Sequence, residues 1–173
     1  MKRRTYQIAL YGMLAALALT LSYLESLLPT SAFLPPGAKP GFSNIVNMFA
    51  ASSLGFLPAI GVAVLKACFA GVTRGVTAFF MSLCGGMLST VGMYLLFRFT
   101  KRIGYVGIGV ISAVLHNAGQ LLVAAVLVGN RSVLGYLPVL LLCALVAGAL
   151  TGSVLKAVMP KLLEATKQFR FMK

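Results

Sequence analysis

Fifteen Lys and Arg against two Asp and Glu give this 173-residue chain a net charge of +13, yet 60% of its residues are hydrophobic and its mean hydropathy is +0.96. A soluble globule carries about a quarter charged residues, so composition excludes one, and with it the nucleic-acid binding that such a charge would otherwise suggest. Long apolar stretches recur along the whole chain and mark an all-α integral membrane protein.

Residues 1–5 form a basic tail with Lys2, Arg3 and Arg4, and Tyr6 to Leu28 is expected to be the first spanning helix. Its apolar run is too long for the h-region of a signal peptide, and no small-residue cleavage site precedes a polar mature domain. Gly12 and Ala16, four apart, give this helix a small-residue strip suited to close contact with another helix. Glu25 near its far end is one of only two carboxylates in the protein.

The stretch Leu34-Pro35-Pro36-Gly37-Ala38-Lys39-Pro40-Gly41 is stiffened by three prolines and two glycines, which bar a regular helix. From Phe42 the pattern turns helical, with Asn44 and Asn47 at i and i+3 just inside the start and Lys39 in the loop before them. Phe42 to Gly55 and Ala59 to Gly71 are two short apolar segments joined by Phe56-Leu57-Pro58. Each reaches only about 20 Å, so they are either kinked short spans or a re-entrant hairpin. Lys66 sits inside the second, and Arg74 follows it.

Gly75 to Phe97 is a further span, with a kink or close approach expected at Gly85-Gly86. Gly104 to Val128 carries His116, Asn117 and Gln120. After the turn Gly129-Asn130-Arg131-Ser132, Val133 to Met159 is the last span, ended by Pro160 and followed by a basic tail over 161–173. The chain therefore reads as one six-helix transmembrane bundle over residues 1–173. With both termini on one side, that side holds eleven of the fifteen cations, and the positive-inside rule makes it cytoplasmic. The location expected is a bacterial inner membrane, crossed several times. Cys68, Cys84 and Cys143 stand alone within apolar segments and read as small buried hydrophobes; no metal site or cofactor is expected.

On this topology Glu25, Asn44, Asn47, Lys66, Arg74, Asn117 and Gln120 share the outer half, with His116 near mid-depth. Polar groups at such depth are costly unless paired or facing water, so each is a candidate binding residue. For any one amide, an interhelical hydrogen bond explains its presence about as well as a ligand. Four outer cations, Lys39, Lys66, Arg74 and Arg131, against Glu25 favour a phosphorylated or carboxylate ligand, with Lys66 or Arg74 as its counter-ion. Glu25 could equally be spent on an internal ion pair, and Lys39 and Arg131 on lipid headgroups. No paired carboxylates, aspartate-rich Mg²⁺ motif, P-loop or Ser/His/Asp set supports catalysis.

Three stretches together, Ser22-Tyr23-Leu24-Glu25, Pro36-Gly37-Ala38-Lys39-Pro40-Gly41-Phe42-Ser43-Asn44-Ile45-Val46 and His116-Asn117-Ala118-Gly119-Gln120, resemble the Gx transporter family, also labelled heptaprenyl diphosphate synthase component I. That family is similar to the S-components of energy-coupling factor vitamin transporters. The resemblance implies a six-helix bundle binding its ligand near the outer face under the loop after the first helix, with Lys39 and Asn44 at the site. It also implies docking, through Gly12 and Ala16, on a T-component/ATPase module or another membrane subunit. The aspartate-rich motifs of prenyl synthases are absent, so under the synthase label the chain would be an accessory subunit, linked to quinone synthesis or membrane electron transfer.

Overall fold

The computed structural model describes residues 2–27, 39, 41–100, 102–129 and 131–171, with side chains other than those of 2–4, 6, 131 and 165–171. Over these residues the chain is helical, without strands: α1 (Lys2–Ser26), α2 (Asn44–Ser53), α3 (Phe56–Arg74), α4 (Val76–Phe99), α5 (Tyr105–Val128) and α6 (Leu137–Phe171), the last preceded by a 3-10 turn over Arg131–Tyr136. Five helices, all but α2, are long and apolar enough to cross a bilayer. Pro35 to Ala38, Pro40, Leu28, Lys101, Asn130 and Lys173, and the Arg131 side chain, lie outside the described set.

Several boundaries differ from the sequence expectation: α1 begins at Lys2 rather than Tyr6, α6 begins at Leu137 rather than Val133, and two others turn on proline. Phe56-Leu57-Pro58 is no joint: α3 begins at Phe56 after Gly55, whose φ of 102° suits glycine, and runs nineteen residues, about 28 Å. Pro58 falls in the first turn, where a helix has no use for its backbone N–H. Pro160 does not end α6, which continues to Phe171. A proline inside a helix forfeits one hydrogen bond to the preceding turn and crowds its carbonyl, but the turns on either side can persist. α2, by contrast, is shorter than expected at ten residues, about 15 Å. The two segments thus form an unequal pair, a half-length helix and a full-length one.

α2 lies at the centre of the bundle, with Val46, Met48, Phe49, Ala50 and Ala51 all buried. They pack with Leu14 and Ala18 of α1, Met93 of α4, Ile108 of α5, and Leu155 and Met159 of α6. Its N-terminal Asn44 meets Lys66, midway along α3, and Ser53 at its other end approaches Met159 at 3.8 Å. Phe56 against Tyr94 (5.1 Å between ring centres) ties the start of α3 to the far part of α4. α4, α5 and α6 pack in sequence as antiparallel neighbours. Gly85 and Gly86 leave α4 unbroken and serve as a close approach instead: a Cβ on Gly119 would stand 2.7 Å from the Gly85 Cα. Cys68, expected to be buried, faces outward from α3.

Candidate functional site: a basic cleft at the head of α2

Ser22 and Glu25, three apart in the last turns of α1, share a face and are both buried. Residues 41–43 lie against them. The Glu25 carboxylate accepts hydrogen bonds from the backbone N–H groups of Gly41 and Phe42 (2.8 Å for Phe42) and from the Ser43 hydroxyl at 3.0 Å. It therefore pins the segment just before α2, whose own first amides, those of Asn44 and Ile45, donate to the Gly41 and Phe42 carbonyls, and its charge lies near the positive end of the helix dipole. Of the two fates open to Glu25 in the sequence, ion pair or ligand contact, the geometry adds this third. Gly41 is required twice over. Its φ is 94°, and a Cβ there would lie 3.1 Å from Asn44 Nδ2 and 3.2 Å from His116 Cδ2.

Lys39 does not reach out toward headgroups. It is buried, its ammonium donating to the Ser22 carbonyl and, at 2.9 Å, to the Ser22 hydroxyl, while its backbone N–H donates to Gln120 Oε1 at 3.1 Å. Lys66, also buried, donates to Asn44 Oδ1 at 2.8 Å.

On α5, His116 Nε2 lies 2.7 Å from Gln120 Nε2. Because Gln120 Oε1 is occupied by the Lys39 amide, its NH₂ group must be the donor here. His116 Nε2 is therefore the acceptor and unprotonated, and Nδ1 lies against Gly85, where a Cβ would come within 3.1 Å. A bare glycine on α4 is what admits the imidazole at this depth.

Six of the nine candidate binding residues line one small, partly open cleft: Glu25, Lys39, Lys66, Arg74, His116 and Gln120. Asn44 stands just behind, holding Lys66. The other two amides turn elsewhere. Asn47 donates to Thr90 of α4 at 3.0 Å, and Asn117 donates to the Leu140 carbonyl of α6 at 2.9 Å. Neighbouring helical residues point about 100° apart, so Asn117 cannot follow His116 into the cleft. Sequence reasoning overlooked the linings Ser22, Ser43 and Ser82. The spacing of Ser22 from Glu25, and the place of Ser43 directly before Asn44, were signals available for two of them. Gly12 and Ala16 lie on the exposed side of α1.

Fold and cleft together define a multi-pass helical membrane protein with a basic polar pocket among its helices. The family model described as heptaprenyl diphosphate synthase component I matches residues 14–158, and the chain belongs to that family, as its three motif stretches led one to expect. Every cleft residue falls within the matched range, and Gly12 falls just outside it. No curated protein and no solved structure matches the chain.

Proposed function

We propose that the protein is a substrate-binding and transport protein of the bacterial inner membrane, resembling an energy-coupling factor S-component. It takes an anionic or amphipathic small molecule, such as a vitamin, a cofactor or an isoprenoid or quinone precursor, from the outer side. The observation that carries this reading is the convergence of Lys39, Lys66 and Arg74, cations from the loop and α3, on one cleft closed by α1 and α5. Cations held together in a membrane protein without matching carboxylates are costly to the fold and useful to an anion.

In this reading the chain is a single transmembrane domain that crosses the membrane six times, with both termini cytoplasmic. α2 supplies the inner half of the second crossing and the preceding loop the outer half. A half-length helix whose N-terminus opens at mid-depth suits an anion site, because the positive end of its dipole faces the ligand. Gly12 and Ala16 form the docking strip for a T-component/ATPase module or another membrane subunit, and membrane lipid surrounds the rest.

The family description favours a second reading, a non-catalytic accessory subunit for prenyl-diphosphate or quinone synthesis, or for a membrane redox complex. Native mass spectrometry of the detergent-purified protein separates the two. A co-purifying small molecule that is lost in Lys66→Met and Asn44→Ala upholds transport. Absence of any ligand, with stable co-purification of a soluble synthase or redox subunit, overturns it in favour of the accessory role.

A further inference from the structure

We infer that the cleft takes a doubly charged oxyanion head of the phosphate class, seated between Lys39, Lys66 and Arg74 and met by the free amide hydrogens of Asn44. The inference rests on the ligand-binding reading above and narrows its substrate class. It starts from charge. Three cations and one carboxylate line the cleft, a formal excess of two positive charges. The chain has just one other acidic side chain, Glu164, which is exposed near the far end of α6. No other side chain of this protein can therefore supply further negative charge, and a bound anion would. Glu25 itself is spent on the Gly41 and Phe42 amides and the Ser43 hydroxyl.

Hydrogen bonding makes the same demand. The Lys66 ammonium has three protons to donate, is 4% exposed, and among the described residues meets one acceptor, Asn44 Oδ1. Asn44 Nδ2, equally buried, has no acceptor among the described residues. The Lys39 ammonium, among those same residues, donates to the neutral oxygens of Ser22. Buried donors left over in this way are sites awaiting acceptor oxygens. A phosphate or diphosphate group offers three or more of them with two negative charges, and pairs well with an arginine fork. A monocarboxylate leaves one cation unbalanced, and a neutral ligand leaves both.

The same head is carried by water-soluble phosphate compounds and by lipid phosphates, and one titration separates them. The full chain in neutral detergent is followed by thermal unfolding and calorimetry at constant ionic strength, with inorganic phosphate, pyrophosphate, acetate, and phosphatidic acid or farnesyl diphosphate in mixed micelles. Saturable stabilisation by phosphate or pyrophosphate, with acetate at least tenfold weaker, is the expected result. A lipid phosphate more than tenfold tighter than pyrophosphate assigns the head to a lipid, whereas equal affinity assigns it to a soluble compound. Lys66→Met should abolish the response. Asn44→Asp, which places a carboxylate beside Lys66 with little change in shape, should weaken it at least tenfold in a protein that still melts cooperatively.

Acetate binding as tightly as phosphate, or a phosphate response that survives both variants, overturns the inference and leaves the binding reading standing. So does a co-purified ligand bearing no doubly charged group. If no anion binds and nothing co-purifies, both fall.

Discussion

The two sides of this bundle are joined by opposite means. Along α4, α5 and α6 the helices meet backbone to backbone. Gly119 lies on Gly85, and Gly148 lies so close to α5 that a Cβ would stand 2.5 Å from the Val110 Cα. On the α1 side, Lys39, Gly41, Phe42 and Ser43 are held by hydrogen bonds that they donate to Ser22 and Glu25, with a further one from the Lys39 amide to Gln120 of α5. Only 17% of the apolar window of α1 is buried against 44% of that of α5. A seam set by missing side chains has one good geometry, because close-packed interiors do not deform gradually. Polar contacts can instead be exchanged for those of a ligand at little net cost. The difference places the fixed wall of the cleft on α4 and α5, and its exchangeable contacts at the head of α2.

The comparison breaks most readily at the glycine seam. Gly119→Val should cost about 3 kcal/mol or more, since backbone rather than a flexible side chain stands in the way. The measurement is thermal unfolding with the yield of monodisperse protein, and a tolerated valine would show that the wall is not rigid. On the other side, Glu25→Ala should cost about 1–3 kcal/mol, the penalty for buried donors left without their acceptor. Hydrogen exchange should quicken at the Gly41 and Phe42 amides by about tenfold or more while α4 and α5 stay protected. Equal loss of protection in α4 and α5 would mean that the two sides are not independent.

Least is expected from Gly12→Leu and Ala16→Leu on the exposed face of α1. A Cβ on Gly12 meets nothing within 4 Å, so stability should change by no more than about 0.5 kcal/mol. Co-purification with a partner subunit is where those two variants would tell, and an unchanged partner would remove the docking role from this strip.

Much of the fold was legible because α4 and α5 are long, apolar and bounded by glycines or basic loops, and their ends fall within two residues of expectation. Two of the misplaced boundaries sit at prolines. At Pro58 and Pro160 the residue type is the same as at a true break, and what differs is its position along the helix, which composition does not reveal. Within the candidate site, the shared depth of the polar residues was readable from the chain, and their directions were not. Asn47 and Asn117 have the right depth and face Thr90 and Leu140 instead of the cleft.

Membrane class, helical build and the shortage of negative charge follow from the amino-acid sequence alone, because hydropathy and charge are sums over residues and do not depend on how helices are turned. Three things waited for the tertiary structure: the half-length α2 at the centre, Glu25 as the acceptor that pins the segment before it, and the meeting of Lys39 and Lys66 in one cleft. Each depends on the rotation and height of one helix against another. Those are decided by long-range packing, here above all by glycines that let backbones touch, and local sequence does not encode them.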